Sequence, residues 1–68
     1  MITLAEPIDL DTLRIRHEYL AVSDLRLSAD TVAALLNVSH RHAVVALESL
    51  VTEHFLVRLP DGRYTRRV

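Results

Sequence analysis

The chain puts its charged chemistry on arginine and histidine. It contains no lysine and no cysteine; its basic residues are eight arginines, joined by four histidines. The densest cluster is Ser39-His40-Arg41-His42. Histidines at i and i+2 on a helix diverge by about 200°, so His40 and His42 do not readily chelate one metal ion. Ser39 is a helix-capping type, and the N–H groups behind such a cap, with Arg41 beside them, favour a phosphate. Protonation of these imidazoles near pH 6 adds positive charge, so affinity for an anionic partner should rise modestly on acidification. Other chemistries lack their residues. There is no Ser-His-Asp order and no paired-carboxylate pocket, and the lone Gly62 excludes a glycine-rich phosphate loop. Without cysteine there is neither a thiolate metal site nor a disulfide. No cofactor and no metal are expected. A non-enzyme is expected too, because little of so small a domain remains to form a closed pocket.

The basic groups are segregated along the chain. The formal net charge of −1 argues at first against a nucleic-acid partner. Up to Ser39, three arginines (Arg14, Arg16, Arg26) face six acids; from His40 onward, five arginines (Arg41, Arg58, Arg63, Arg66, Arg67) face three (Glu48, Glu53, Asp61). Where the fold puts that second half decides the partner. The 68 residues allow one domain, and a chain of this length buries only about 60% of its unfolded surface. Half the residues are apolar and a quarter charged, a globular composition. A thin core without a covalent staple leaves well-packed helices or a partner chain as routes to stability. No apolar run is long enough for a membrane span, so no membrane partner is expected. The first residues lack the basic and apolar regions of a signal peptide, and a cytoplasmic location is expected.

The elements that must position these residues follow from periodicity and turn chemistry. Residues 1–8 read as an apolar arm ending near Pro7. A first helix is expected over 9–24, capped by Asp9. It has two apolar stripes: Leu10, Leu13, His17 and Leu20 on one face, and Ile15, Tyr19 and Val22 nearly opposite. Two stripes imply a helix sandwiched between surfaces. A short strand follows at 25–27. A second helix spans 28–36, opened by Ser28, with Val32, Leu35 and Leu36 inward and Asn37 as a left-handed stop. A third runs over 39–53 with Ala43, Leu47 and Leu50 as its buried seam. His54 stands where a left-handed residue is needed. A hairpin over 55–68 turns at Pro60-Asp61-Gly62.

The sequence resembles the winged helix-turn-helix superfamily. The resemblance is carried by Leu27-Ser28-Ala29-Asp30-Thr31-Val32-Ala33-Ala34-Leu35-Leu36-Asn37-Val38-Ser39, by Ala46-Leu47-Glu48-Ser49-Leu50, by Glu53-His54-Phe55-Leu56 and by Asp61-Gly62-Arg63-Tyr64. Asn37 and His54 replace the glycines usual in that family, both at positions that want positive φ. The resemblance covers roughly residues 9 to 68. It implies a mainly α fold with a C-terminal β-hairpin, a three-helix bundle plus wing, in a single domain. It also implies a small transcription regulator that binds duplex DNA, either sequence-specifically or generally.

In DNA-binding members the third helix lies in the major groove and the wing touches backbone or minor groove. With Leu47 at the centre of the seam, steps of about 100° put Arg41, Val45 and Thr52 opposite it, flanked by His42 and Ser49 with Glu48 at one edge. The expected DNA-binding residues are Ser39, His40, Arg41, His42, Val45 and Ser49 on the helix, with Arg63 and Arg66 on the wing. Arg41 suits guanine or a phosphate, and Val45 a thymine methyl. Tyr64 is expected in the core under the wing. A homodimer is expected through Ile2, Leu4, Ile15, Tyr19 and Val22. The alternative is a non-enzymatic protein-interaction module in which apolar positions of helix three and helix one meet a protein partner.

Overall fold

Local capping chemistry sets the spacing of the helices. The computed structural model describes residues 7–67, with side chains from Leu10 onward. It contains three helices, α1 (Pro7–Ala21), α2 (Ala29–Leu36) and α3 (His40–Thr52), and three short strands, β1 (Arg26–Leu27), β2 (Leu56–Arg58) and β3 (Tyr64–Arg66). Ser28 caps α2 by accepting the Thr31 N–H at 3.2 Å. Asn37 ends it in the left-handed region, at φ 57° and ψ 49°. The Val38 N–H then returns to the Ala33 carbonyl at 3.0 Å, which closes the last turn of the helix. Ser39 restarts the chain as a helix by accepting the His42 N–H at 3.0 Å. Residues 37–39 thus suffice to join α2 to α3.

The end of α3 repeats the device. His54 takes φ 66°, and the Phe55 N–H bonds the Leu50 carbonyl at 3.0 Å. The chain then leaves as β2. The Gly62 N–H closes the turn on the Leu59 carbonyl at 3.0 Å, with Gly62 at φ 89°, and β3 returns antiparallel to β2 with Arg58 opposite Tyr64 and Leu56 opposite Arg66. The third strand is β1, which pairs antiparallel with β3 and gives the sheet order β1-β3-β2. The fold is therefore mainly helical with a small three-stranded antiparallel sheet.

The core forms where α1, α2, α3 and the sheet meet. It consists of Ile15, Tyr19, Leu27, Ala29, Val32, Ala43, Ala46, Leu47, Leu50, Leu56 and Tyr64. The seam of α3 and the burial of Tyr64 agree with the sequence reading. Helix α1 differs in two ways. It starts at Pro7, so Asp9 lies inside the first turn instead of capping it; proline is suited to that first turn. It also buries two residues of the stripe expected to face a partner, Ile15 and Tyr19. Ile15 is 3% exposed and Tyr19 0%, whereas Leu10, Leu13 and Leu20 are each more than half exposed. The cause is polar. The Tyr19 hydroxyl donates to the Tyr64 carbonyl at 2.6 Å, and Asp11, 9% exposed on the same side of α1, bonds His42 of α3. Turning the leucines inward would break both contacts. Leu35, expected inward on α2, is also 54% exposed. Among the described residues no helix is long and apolar enough to cross a membrane.

Candidate nucleic-acid interface

The outward side of α3 is set by its seam. With Ala43, Ala46, Leu47 and Leu50 buried, Arg41, Val45 and Thr52 face solvent, and Glu48 and Ser49 are half-buried beside them. Val45 is 49% exposed. Arg41 has no hydrogen-bond or ion-pair partner among the described residues. It lies two residues behind the Ser39 cap, in the helical turn whose N–H groups carry the positive end of the dipole.

The flanking histidines bind different acids. His40 Nδ1 lies 2.7 Å from Asp30 Oδ1 at the start of α2, in the open. His42 Nε2 lies 2.6 Å from Asp11 Oδ2, with the two side chains 29% and 12% exposed. His42 therefore ties α3 to α1 and is less exposed than Arg41. One step of the helix from Arg41, the ring turns toward this carboxylate and stays partly exposed.

The hairpin uses most of its cations internally. Arg58 bonds the Glu48 carboxylate, and the Tyr64 hydroxyl donates to Glu48 Oε2 at 2.7 Å. The Tyr64 bond, with Arg58 adding to it against a smaller desolvation cost, holds Glu48 below the ordinary carboxylate range. Burial pushes Tyr64 up, and its bond to Glu48 adds to that. At the turn, the Arg63 Nε donates to Asp61 Oδ2 at 2.8 Å and its backbone N–H to Asp61 Oδ1 at 3.0 Å. These bonds hold Asp61 below its usual range.

Arg66 departs furthest from expectation. Its guanidinium lies over the Phe55 ring, 5.3 Å from the centroid, and Arg16 of α1 stacks on the same ring at 4.8 Å. Arg66 shares a sheet face with Tyr64, because alternate residues of a strand point the same way. It is thus turned toward the interior, and its Nε is buried with no hydrogen-bond partner among the described residues. Arg66 braces the sheet against α1 instead of extending the outer surface. Arg16 itself is paired with Glu53 at 2.5 Å.

A groove of about 590 Å³ runs between the start of α2, α3 and the hairpin. Asp30, His40, Val44, Glu48 and Arg58 are among the groups lining it. Charges of both signs face one another there. The Glu48–Tyr64–Arg58 tie was not anticipated from the sequence. Its signal lay in the hairpin register, since a turn at Pro60-Asp61-Gly62 sets Arg58 opposite Tyr64.

Of the residues expected to interact, Arg41 and Val45 stand together on the outward face of α3, with Ser49 beside them and Ser39 as the cap. His40 is exposed but paired, and Arg63 stands apart at the hairpin turn. Of the expected dimer residues, Ile15 and Tyr19 are inside the core, Val22 is 50% exposed, and Ile2 and Leu4 lie outside the described residues. Comparison with family models, with curated proteins and with solved structures finds no match.

Proposed function

We propose that this chain is a winged helix-turn-helix module that binds duplex DNA as a small transcription regulator. Helix α3 enters the major groove, and the turn of the β2–β3 hairpin approaches the backbone. The element order and the three-residue α2–α3 turn support this reading. The observation that carries it is Arg41: exposed, unpaired among the described residues, and in the first turn of a helix whose outward face also presents Val45. A guanidinium so placed reaches a guanine edge or a phosphate, and Val45 suits a thymine methyl.

The pairing of the other cations limits the affinity. Arg58 is held by Glu48 and Arg66 by Phe55. Arg63 can leave Asp61 at little cost, because both side chains are about half exposed and solvent screens the pair. About two or three phosphate contacts are therefore expected per chain, fewer than in a strongly basic binder. A mobility shift with random-sequence duplex at low salt tests the reading. The native protein should retard the duplex and Arg41→Ala should do so far less; no retardation by the native protein would reject it.

The same pairing of cations favours a second reading, a protein-interaction module centred on Val45 and the half-buried Val44. Apolar binding of that kind would be indifferent to salt, whereas phosphate binding is not.

A further inference from the structure

Helix α1 turns an apolar stripe to solvent. Leu10, Leu13 and Leu20 are 54%, 52% and 57% exposed, and His17 stands exposed between them. Along one flank of this stripe lie Arg14 and Glu18, one turn apart and both exposed. Neither is in an ion pair, with the other or with any described residue. The apolar surface continues past them. A cleft of about 160 Å³ between α1 and α2 has Arg14, Glu18 and Leu35 among its lining residues, and Leu35 is 54% exposed.

We propose that a second copy of this chain covers the stripe, with the two α1 helices packed antiparallel across a twofold axis. The charges select both the occupant and its direction. In a parallel pair the twofold axis runs along the helices and sets this flank of one copy against the opposite flank of the other, so Arg14 and Glu18 would lie on the far side of the strip from their equivalents and stay unpaired. In an antiparallel pair the same flank of each helix faces its equivalent, running the other way. An axis at the level of Ile15 sets Leu10 of one copy against Leu20 of the other and Leu13 against His17. With a rise of about 1.5 Å per residue, Arg14 of one copy and Glu18 of the other are then offset by only about 3 Å along the axis. Each unpaired charge gains a partner, twice over by symmetry, at the border of an apolar strip. This interface replaces the one expected through Ile15 and Tyr19, and it stands independently of the nucleic-acid reading.

Its strength follows from its size. A standard interface buries about 800 Å² per partner, and one face of a four-turn helix supplies only part of that. The dimer should therefore form in the micromolar range.

Sedimentation equilibrium of the full chain from about 1 to 500 μM spans that range. The wild type is expected to pass from monomer to dimer. Arg14→Glu alone and Glu18→Arg alone should each weaken association about tenfold or more, and the double variant carrying both should recover it to within about threefold. These positions are exposed in the single chain, so circular dichroism should show all variants folded. A monomer throughout, as would follow if residues 1–6 covered the stripe instead, overturns the proposal. Dimers unaffected by the single swaps, or not restored by the double, overturn the antiparallel arrangement.

Discussion

Removing one oxygen atom, in Tyr19→Phe, tests which side of α1 faces the core. The hydroxyl is fully buried and donates to the Tyr64 carbonyl at 2.6 Å. The ring stays in place, edge-on to Phe55 at 6.4 Å between centroids, so the change removes only the hydroxyl and its polar contacts, the bond to Tyr64 and that with the Leu27 backbone. Losing a buried bond and leaving its acceptor short of a donor costs about 1–2 kcal/mol. Unfolding entropy for a domain of this size makes each kcal/mol worth about 4–8 °C. The variant should melt roughly 10 °C below the wild type at pH 7, by circular dichroism.

The same group gives an alkaline signature. Burial pushes the Tyr19 hydroxyl from 10.0 up to about 12. The folded state thus prefers the protonated form. The associated stability is fully present below pH 10 and is lost as pH rises from 10 to about 12. The loss is on the order of 2–3 kcal/mol. Tyr64, also raised, adds in the same direction. Melting temperatures between pH 9 and 12 should therefore fall more steeply for the wild type than for Tyr19→Phe. A variant melting within about 2 °C of wild type at pH 7, with an unchanged alkaline limb, would mean that the hydroxyl is solvated and the orientation of α1 is wrong.

Three further changes probe the turn, the cap and the groove. Asn37 holds φ 57°, so Asn37→Gly should raise the stability read from urea unfolding by a few tenths of a kcal/mol, whereas Asn37→Ala should lower it by about 1 kcal/mol. Ser39→Ala removes the bond to the His42 N–H and should cost about 1 kcal/mol, seen as a lower urea midpoint at unchanged slope. Glu48→Gln removes a negative charge from the groove and should raise duplex affinity about two- to fivefold in an anisotropy titration. Glu48 also titrates below its ordinary 4.5 in the folded state. Its contribution to stability is therefore present above that value and fades as pH falls further, so Glu48→Gln should flatten the acid limb of a pH–stability curve.

What could be read from the sequence was whatever local chemistry dictates. Ser28 and Ser39 announce helix starts because their side-chain oxygens satisfy free N–H groups. Asn37 and His54 announce stops because each tolerates left-handed backbone, and Pro60-Asp61-Gly62 announces a reversal. The seam of α3 was legible because Ala43, Leu47 and Leu50 form one apolar stripe. The orientation of α1 was not, because both of its sides are apolar and the choice depends on two polar bonds to distant residues, Tyr19 to Tyr64 and Asp11 to His42. The fate of the cations was hidden for the same reason. Arg66 and Arg58 look like outward charges until strand alternation turns them toward Phe55 and Glu48. Charge counts along the chain therefore overstate the basic surface.

The salt dependence of duplex binding bears most directly on the role of Arg41. Anisotropy of a labelled random-sequence duplex, titrated with protein between about 20 and 200 mM salt, gives the slope of log K against log salt. With about two or three phosphates neutralised per chain, a slope of roughly −2 to −3 is expected, and Arg41→Ala should reduce its magnitude by about 1 if Arg41 holds a phosphate. If Arg41 reads a base instead, the affinity should fall by about 1–3 kcal/mol with the slope nearly unchanged. A slope near zero, or binding that Arg41→Ala leaves unchanged in both affinity and slope, would contradict the assignment of α3 as the DNA-contacting helix.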